Sequence, residues 1–66
     1  MNEEILKAKW KEIKGKVKEQ WGKLTDNEIT EAEGNFEQLQ ARIQEAYGLE
    51  KDEAKKQLDD FLDDNK

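Results

Sequence analysis

The chain has 66 residues, 33% of them hydrophobic and 44% charged, and its 12 basic and 17 acidic side chains leave a net charge of −5. It contains no proline, cysteine, histidine or serine. These absences remove disulfide scaffolds, thiol and serine nucleophiles, cysteine zinc sites and the commonest general base and metal ligand. No apolar run approaches the roughly 20 residues of a membrane span. Met1 to Lys11 alternates charge with hydrophobe, unlike a leader's apolar stretch. The expectation is a single soluble, cytoplasmic, helical domain over residues 1–66, near the lower size limit for folding without staples.

Charge is divided along the chain. Residues 1–24 hold seven lysines against four glutamates, a net +3, whereas residues 25–66 hold five basic groups against 13 acidic ones, a net −8. A basic helix packed beside acidic ones explains this better than an arm for a polyanion.

The first element is read from Leu6, Trp10, Ile13, Val17, Trp21 and Leu24, one apolar stripe at helical spacing, so a helix is expected over residues 5–24. Gly15 falls on its polar side, and Gly22 is expected to stop it in the left-handed C′ position. Thr25 then reads as an N-cap, Glu28 as the reciprocal capping-box residue, and Leu24 with Ile29 as the hydrophobic staple of a second helix from Asp26 to about Glu33. Gly34 breaks or kinks the chain there. A third helix carries Phe36, Leu39, Ile43 and Tyr47, with Gly48 at its C′. The staple-and-cap pattern recurs in Leu49 to Ala54, with Glu50 as a poorer cap. A fourth helix turns Ala54, Leu58, Phe61 and Leu62 inward and frays near Asp63-Asp64-Asn65-Lys66.

The two halves copy one pattern. Trp10, Ile13, Val17, Trp21 and Gly22 map onto Phe36, Leu39, Ile43, Tyr47 and Gly48 at an offset of 26, and Leu24, Glu28 and Ile29 map onto Leu49, Glu53 and Ala54 at 25. The fold class is therefore all-α, a small four-helix domain of two α-hairpins, about 3–33 and 35–63, related by approximate internal duplication. Trp10, Ile13, Val17, Trp21, Phe36, Leu39, Ile43, Tyr47, Leu58 and Phe61 are its expected core anchors.

The run from Trp10 to Thr25, with its two tryptophans spaced among lysines and glycines, resembles the signature of the CsbD-like family of small bacterial proteins, and Glu33-Gly34 and Gln44 to Gly48 extend the likeness. The resemblance implies a SAM-domain-like pair of orthogonal α-hairpins and a link to the bacterial general stress response. It implies no assigned biochemical activity and no catalytic or ligand residues. Asn35-Phe36 and Ala46 depart from the basic residues usual in that family, so the resemblance does not carry a basic surface over to the third helix.

Candidate chemistry is sparse. Asp59, Asp60, Asp63 and Asp64 lack the spacing and glycine of a calcium loop and read as a solvated helix end. Thr25 and Thr30 have no histidine base, and the lysines lie on polar faces where nothing desolvates them. The reading is of no enzyme and no cofactor. The lysines carry the one surface worth naming: Lys7, Lys11, Lys14 and Lys18 line one edge of the first apolar stripe, and Lys9, Lys16 and Lys23 the other. Such rims suit a helix lying on anionic lipid, and equally one buried in a core with a soluble rim. Lys7, Lys11, Lys14 and Lys18 are thus candidate contacts to an anionic membrane surface. Nucleic acid fits poorly, because the acidic groups after each glycine turn repel phosphate at the helix N-termini. A monomer is expected, with an unknown protein partner as the other candidate interaction.

Overall fold

A computed structural model of the chain describes residues 3–64. Among these the fold is all-helical, with α1 Glu3–Ala8, α2 Trp10–Gln20, α3 Asp26–Ala32, α4 Phe36–Tyr47 and α5 Lys51–Asp64. Five helices stand where four were expected, because the first stripe is broken at Lys9 (φ −111°, ψ 22°). Lys9 N still reaches Ile5 O at 2.9 Å, but Glu12 N closes on Lys9 O at 2.9 Å instead of on Ala8 O. Nothing in the local sequence asks for this break. Across the fold, α1 settles on the turn between α3 and α4.

That turn is built from Glu33 in the left-handed region (φ 49°) and Gly34 (φ 79°). Gly34 is buried, and a Cβ placed on it would lie 3.3 Å from Lys7 Cα and 3.5 Å from Leu6 O. A glycine here lets the backbones of α1 and the turn approach closely. It also separates α3 from α4 cleanly. Asn35 then caps α4, its side-chain oxygen accepting from Gln38 N at 3.0 Å.

The expected capping box is present: Glu28 N donates to Thr25 Oγ1 at 3.1 Å and Thr25 N donates to Glu28 Oε1 at 3.0 Å. Leu24 and Ile29, the staple, are both buried. The end of α2 differs from expectation. Gly22 has no positive φ; the chain leaves the helix one residue earlier, at Trp21 (φ −123°, ψ 73°). Lys18 Nζ reaches over this end and donates to Leu24 O at 2.6 Å and Gly22 O at 3.2 Å. A lysine in the last turn complements the helix dipole, and these contacts tie that end of α2 to the turn before α3. Gly48, by contrast, closes α4 at φ 64° as expected. Ala54 N bonds Glu50 O at 3.0 Å as α5 begins, and Asp63 and Asp64 are helical. The expected fraying at Asn65 and Lys66 lies outside the described residues.

Helix α2 lies against α3, α3 against α4, and α4 against α5, while α1 adjoins α2. One core results, formed by Leu6, Ile13, Val17, Trp21, Leu24, Ile29, Ala32, Phe36, Leu39, Ile43, Ala54, Leu58, Phe61 and Leu62. Trp10 and Tyr47, expected as anchors, are half-buried and pack against its edge. The centre is Trp21, 2% exposed, whose ring meets Phe61 edge-on at 4.9 Å between centroids. Its indole N–H donates to Gln57 Oε1 at 3.2 Å. Burying both the ring and a satisfied N–H makes Trp21 the tie between α2 and α5.

Candidate functional site

The surface left by this core is polar and finely divided. Every charged side chain of α2 is exposed, because Ile13, Val17 and Trp21 take up its apolar face. Lys7 belongs to α1, beyond the break at Lys9, and Lys11 and Lys14 belong to α2; all three are exposed. Lys18 differs. Although exposed, it is engaged with the carbonyls of Gly22 and Leu24 in the turn between α2 and α3. The four-lysine edge expected from the sequence becomes three outward lysines and one tethered to that turn.

On the other edge Lys23 is drawn to α4: its N–H donates to Tyr47 Oη at 3.2 Å, and its ammonium sits 5.1 Å from the Tyr47 ring centroid. This cation–π contact explains why Tyr47 stays half-buried with its hydroxyl turned outward. Arg42 of α4 pairs with Glu31 of α3 at 3.2 Å, so the acidic half supplies its own counter-ion.

Shallow grooves mark the surface. One, of about 460 Å³, lies between α2 and α5 and is lined by Lys16, Glu19, Asp60, Phe61 and Asp64. A second, about 420 Å³, lies where α1 meets the Gly34 turn, between Lys7 and Glu37. A third, about 320 Å³, lies between α2 and α3 with Lys14, Lys18 and Asp26 around Ile29. Each mixes both signs of charge. Among the described residues no cluster of acidic side chains comes together in a metal-holding arrangement, and no helix is long and apolar enough to cross a membrane.

The perturbed carboxyl of Glu28 is structural. The Thr25 N–H lowers its pKa from the ordinary value, partly offset by desolvation and helped by the Thr25 hydroxyl and by the charges of Arg42 and Lys18. Its partners are its own helix cap and its neighbours, which accounts for the shift without any reacting group.

Sequence reasoning missed Asn35 as a cap, although it left a signal: it stands three residues before Gln38 at the head of an apolar stripe. The Lys18 tether left none, because the sequence placed a left-handed Gly22 at the end of that helix.

Comparison with known proteins agrees with the signature. The chain is 52% identical over 61 residues to the UPF0337 protein YjbJ of Escherichia coli, covering 92% of this chain and 88% of that protein. It is 49% identical over 63 residues to a UPF0337 protein of Protochlamydia amoebophila, covering 96% of each. To a UPF0337 protein of Bordetella pertussis it is 48% identical over 65 residues, covering 98% of each. No solved structure matches the chain. The CsbD-like family model matches residues 4–56, so the chain belongs to the CsbD-like family.

Proposed function

We propose that this protein is a small, hydrophilic, cytoplasmic stress-response protein that works by contact, as an interaction module or protectant, and not by catalysis. The observation that supports this is the division of labour in α2. Its apolar stripe is spent on the core, with Ile13, Val17 and Trp21 at 2%, 0% and 2% exposure. What remains outward is charge. The same reading takes α2–α3 and α4–α5 as the two hairpins of a SAM-domain-like arrangement, in keeping with the helix pairs in contact and the internal repeat.

A second reading is favoured by the outward lysines. Lys7, Lys11 and Lys14 form a basic edge that suits an anionic membrane surface, with an attraction of about 1 kcal/mol per lysine close to the lipid. Insertion of the α2 stripe would require the core to open, so such contact is electrostatic and salt-sensitive. The experiment is rescue of a deletion strain under osmotic or envelope stress by the Lys7→Gln, Lys11→Gln, Lys14→Gln triple variant. Full rescue supports a contact surface elsewhere and removes the lipid reading. A folded variant that fails to rescue, and fails to sediment with anionic vesicles that bind the parent, supports the lipid reading and displaces the first. A protein lacking any effect of its deletion under these stresses contradicts both.

A further inference from the structure

We propose that α1 is an exchangeable arm, which in a second copy of this chain takes the same seat it occupies in its own. The inference begins from a conflict between sequence and structure at Lys9. Leu6, Trp10, Ile13 and Val17 step by 4, 3 and 4 residues, the spacing of one uninterrupted helix. The residues at the joint, Lys7, Ala8, Lys9 and Lys11, are all good helix formers. The joint is nevertheless bent, and Glu12 N gives up its helical partner Ala8 O for Lys9 O. The local code therefore favours a straight joint, and the bent one is found with α1 docked on the Gly34 turn.

That docking is compact. Leu6 is 0% exposed, the Gly34 turn receives the α1 backbone, and the surrounding groove of Glu4, Lys7, Asn35 and Glu37 is incompletely filled. If Lys9 becomes helical, α1 and α2 form one rod and α1 swings away from its own Gly34. The vacated seat fits one occupant by construction, the α1 of another copy. Two chains that exchange arms close a two-fold dimer with every seat filled and two straight joints gained. Short hinges between helices invite such exchange. At low concentration the tethered arm wins, since its own seat is always nearest.

Two measurements decide the matter. In the first, a Lys7→Cys chain is mixed at high concentration with a mass-tagged Glu37→Cys chain and treated with a short bifunctional thiol crosslinker. Both positions are exposed and flank the seat, and the parent has no cysteine. Arm exchange yields covalent Lys7→Cys/Glu37→Cys heterodimers in clear excess over either homodimer. A statistical one-to-two-to-one mixture, or no covalent dimer, overturns the proposal. In the second, sedimentation compares Lys9→Ala with Lys9→Gly. Helix propensity favours the straight joint in the alanine chain by about fivefold per joint, so its dimerisation constant should be roughly twentyfold the larger. Equal constants, or a larger one for glycine, contradict a helical hinge.

Discussion

Gly34 and Gly48 share a left-handed backbone, at φ 79° and 64°, but their surroundings differ. At Gly48 an added methyl meets open space, so Gly48→Ala should cost only the backbone term of about 1–2 kcal/mol. At Gly34 the same methyl also meets the α1 backbone at 3.3 Å, so Gly34→Ala should cost clearly more and loosen α1 first. Denaturant melts of the two variants, followed by far-ultraviolet circular dichroism, check the ordering. The capping box gives a residue-scale pH effect. Glu28 has a lowered folded pKa, so its contribution to stability is fully present above the unfolded carboxylate pKa and is lost as pH falls through the folded one. The stability difference between the parent and Glu28→Gln should therefore shrink on acidification through that window. Thermal melts at neutral and acid pH read this out, and a difference that is flat with pH contradicts it. Thr25→Ala, which removes the other half of the box, should cost about 1 kcal/mol at neutral pH.

At the scale of the elements, the two tryptophans of α2 separate by burial. Trp21 is enclosed, stacked edge-on with Phe61 and bonded to Gln57, whereas Trp10 is half-buried. Trp21→Ala should cost about 3–5 kcal/mol, enough to abolish a cooperative melt in so small a domain, and Trp10→Ala about half as much. Calorimetry on both variants distinguishes them. Equal losses would mean that the tie between α2 and α5 carries no special weight. The helical stripes and the Thr25–Glu28 cap were legible in the sequence because their partners lie within one turn, although the equally local Asn35–Gln38 cap was passed over. The break at Lys9 was not legible, because no local signal marks the joint and α1 packs on Gly34, far along the chain. The internal repeat also misled: it equates Trp21-Gly22 with Tyr47-Gly48, yet the first glycine stays at negative φ with its tryptophan buried, and the second turns left-handed with its tyrosine half exposed. Lys23 accounts for part of this asymmetry by holding the Tyr47 hydroxyl at the surface. The candidate lysine edge was legible as residue type and spacing. That Lys18 would be tied to two carbonyls depends on how the chain leaves α2, which the helical wheel does not contain.

At the scale of the whole molecule, the basic first third packs on an acidic remainder, and the net charge of −5 keeps the outside hydrophilic. Exposed pairs such as Arg42 with Glu31 are worth little on their own, so charge governs what the protein meets more than how firmly it folds. Replacing Lys7, Lys11 and Lys14 by glutamine should accordingly change stability by only tenths of a kcal/mol per site. The central claim is that the apolar face of α2 is committed to a closed core, leaving the charged surface to act. Its most direct test uses Trp10→Phe, whose single remaining tryptophan, Trp21, reports on the core. Acrylamide quenching of Trp21 emission is measured with and without anionic vesicles. The account predicts weak quenching and a blue-shifted emission, both unchanged by the vesicles. Strong quenching in buffer, or an emission shift as vesicles are added, would show that the stripe is available to solvent or lipid and would contradict it.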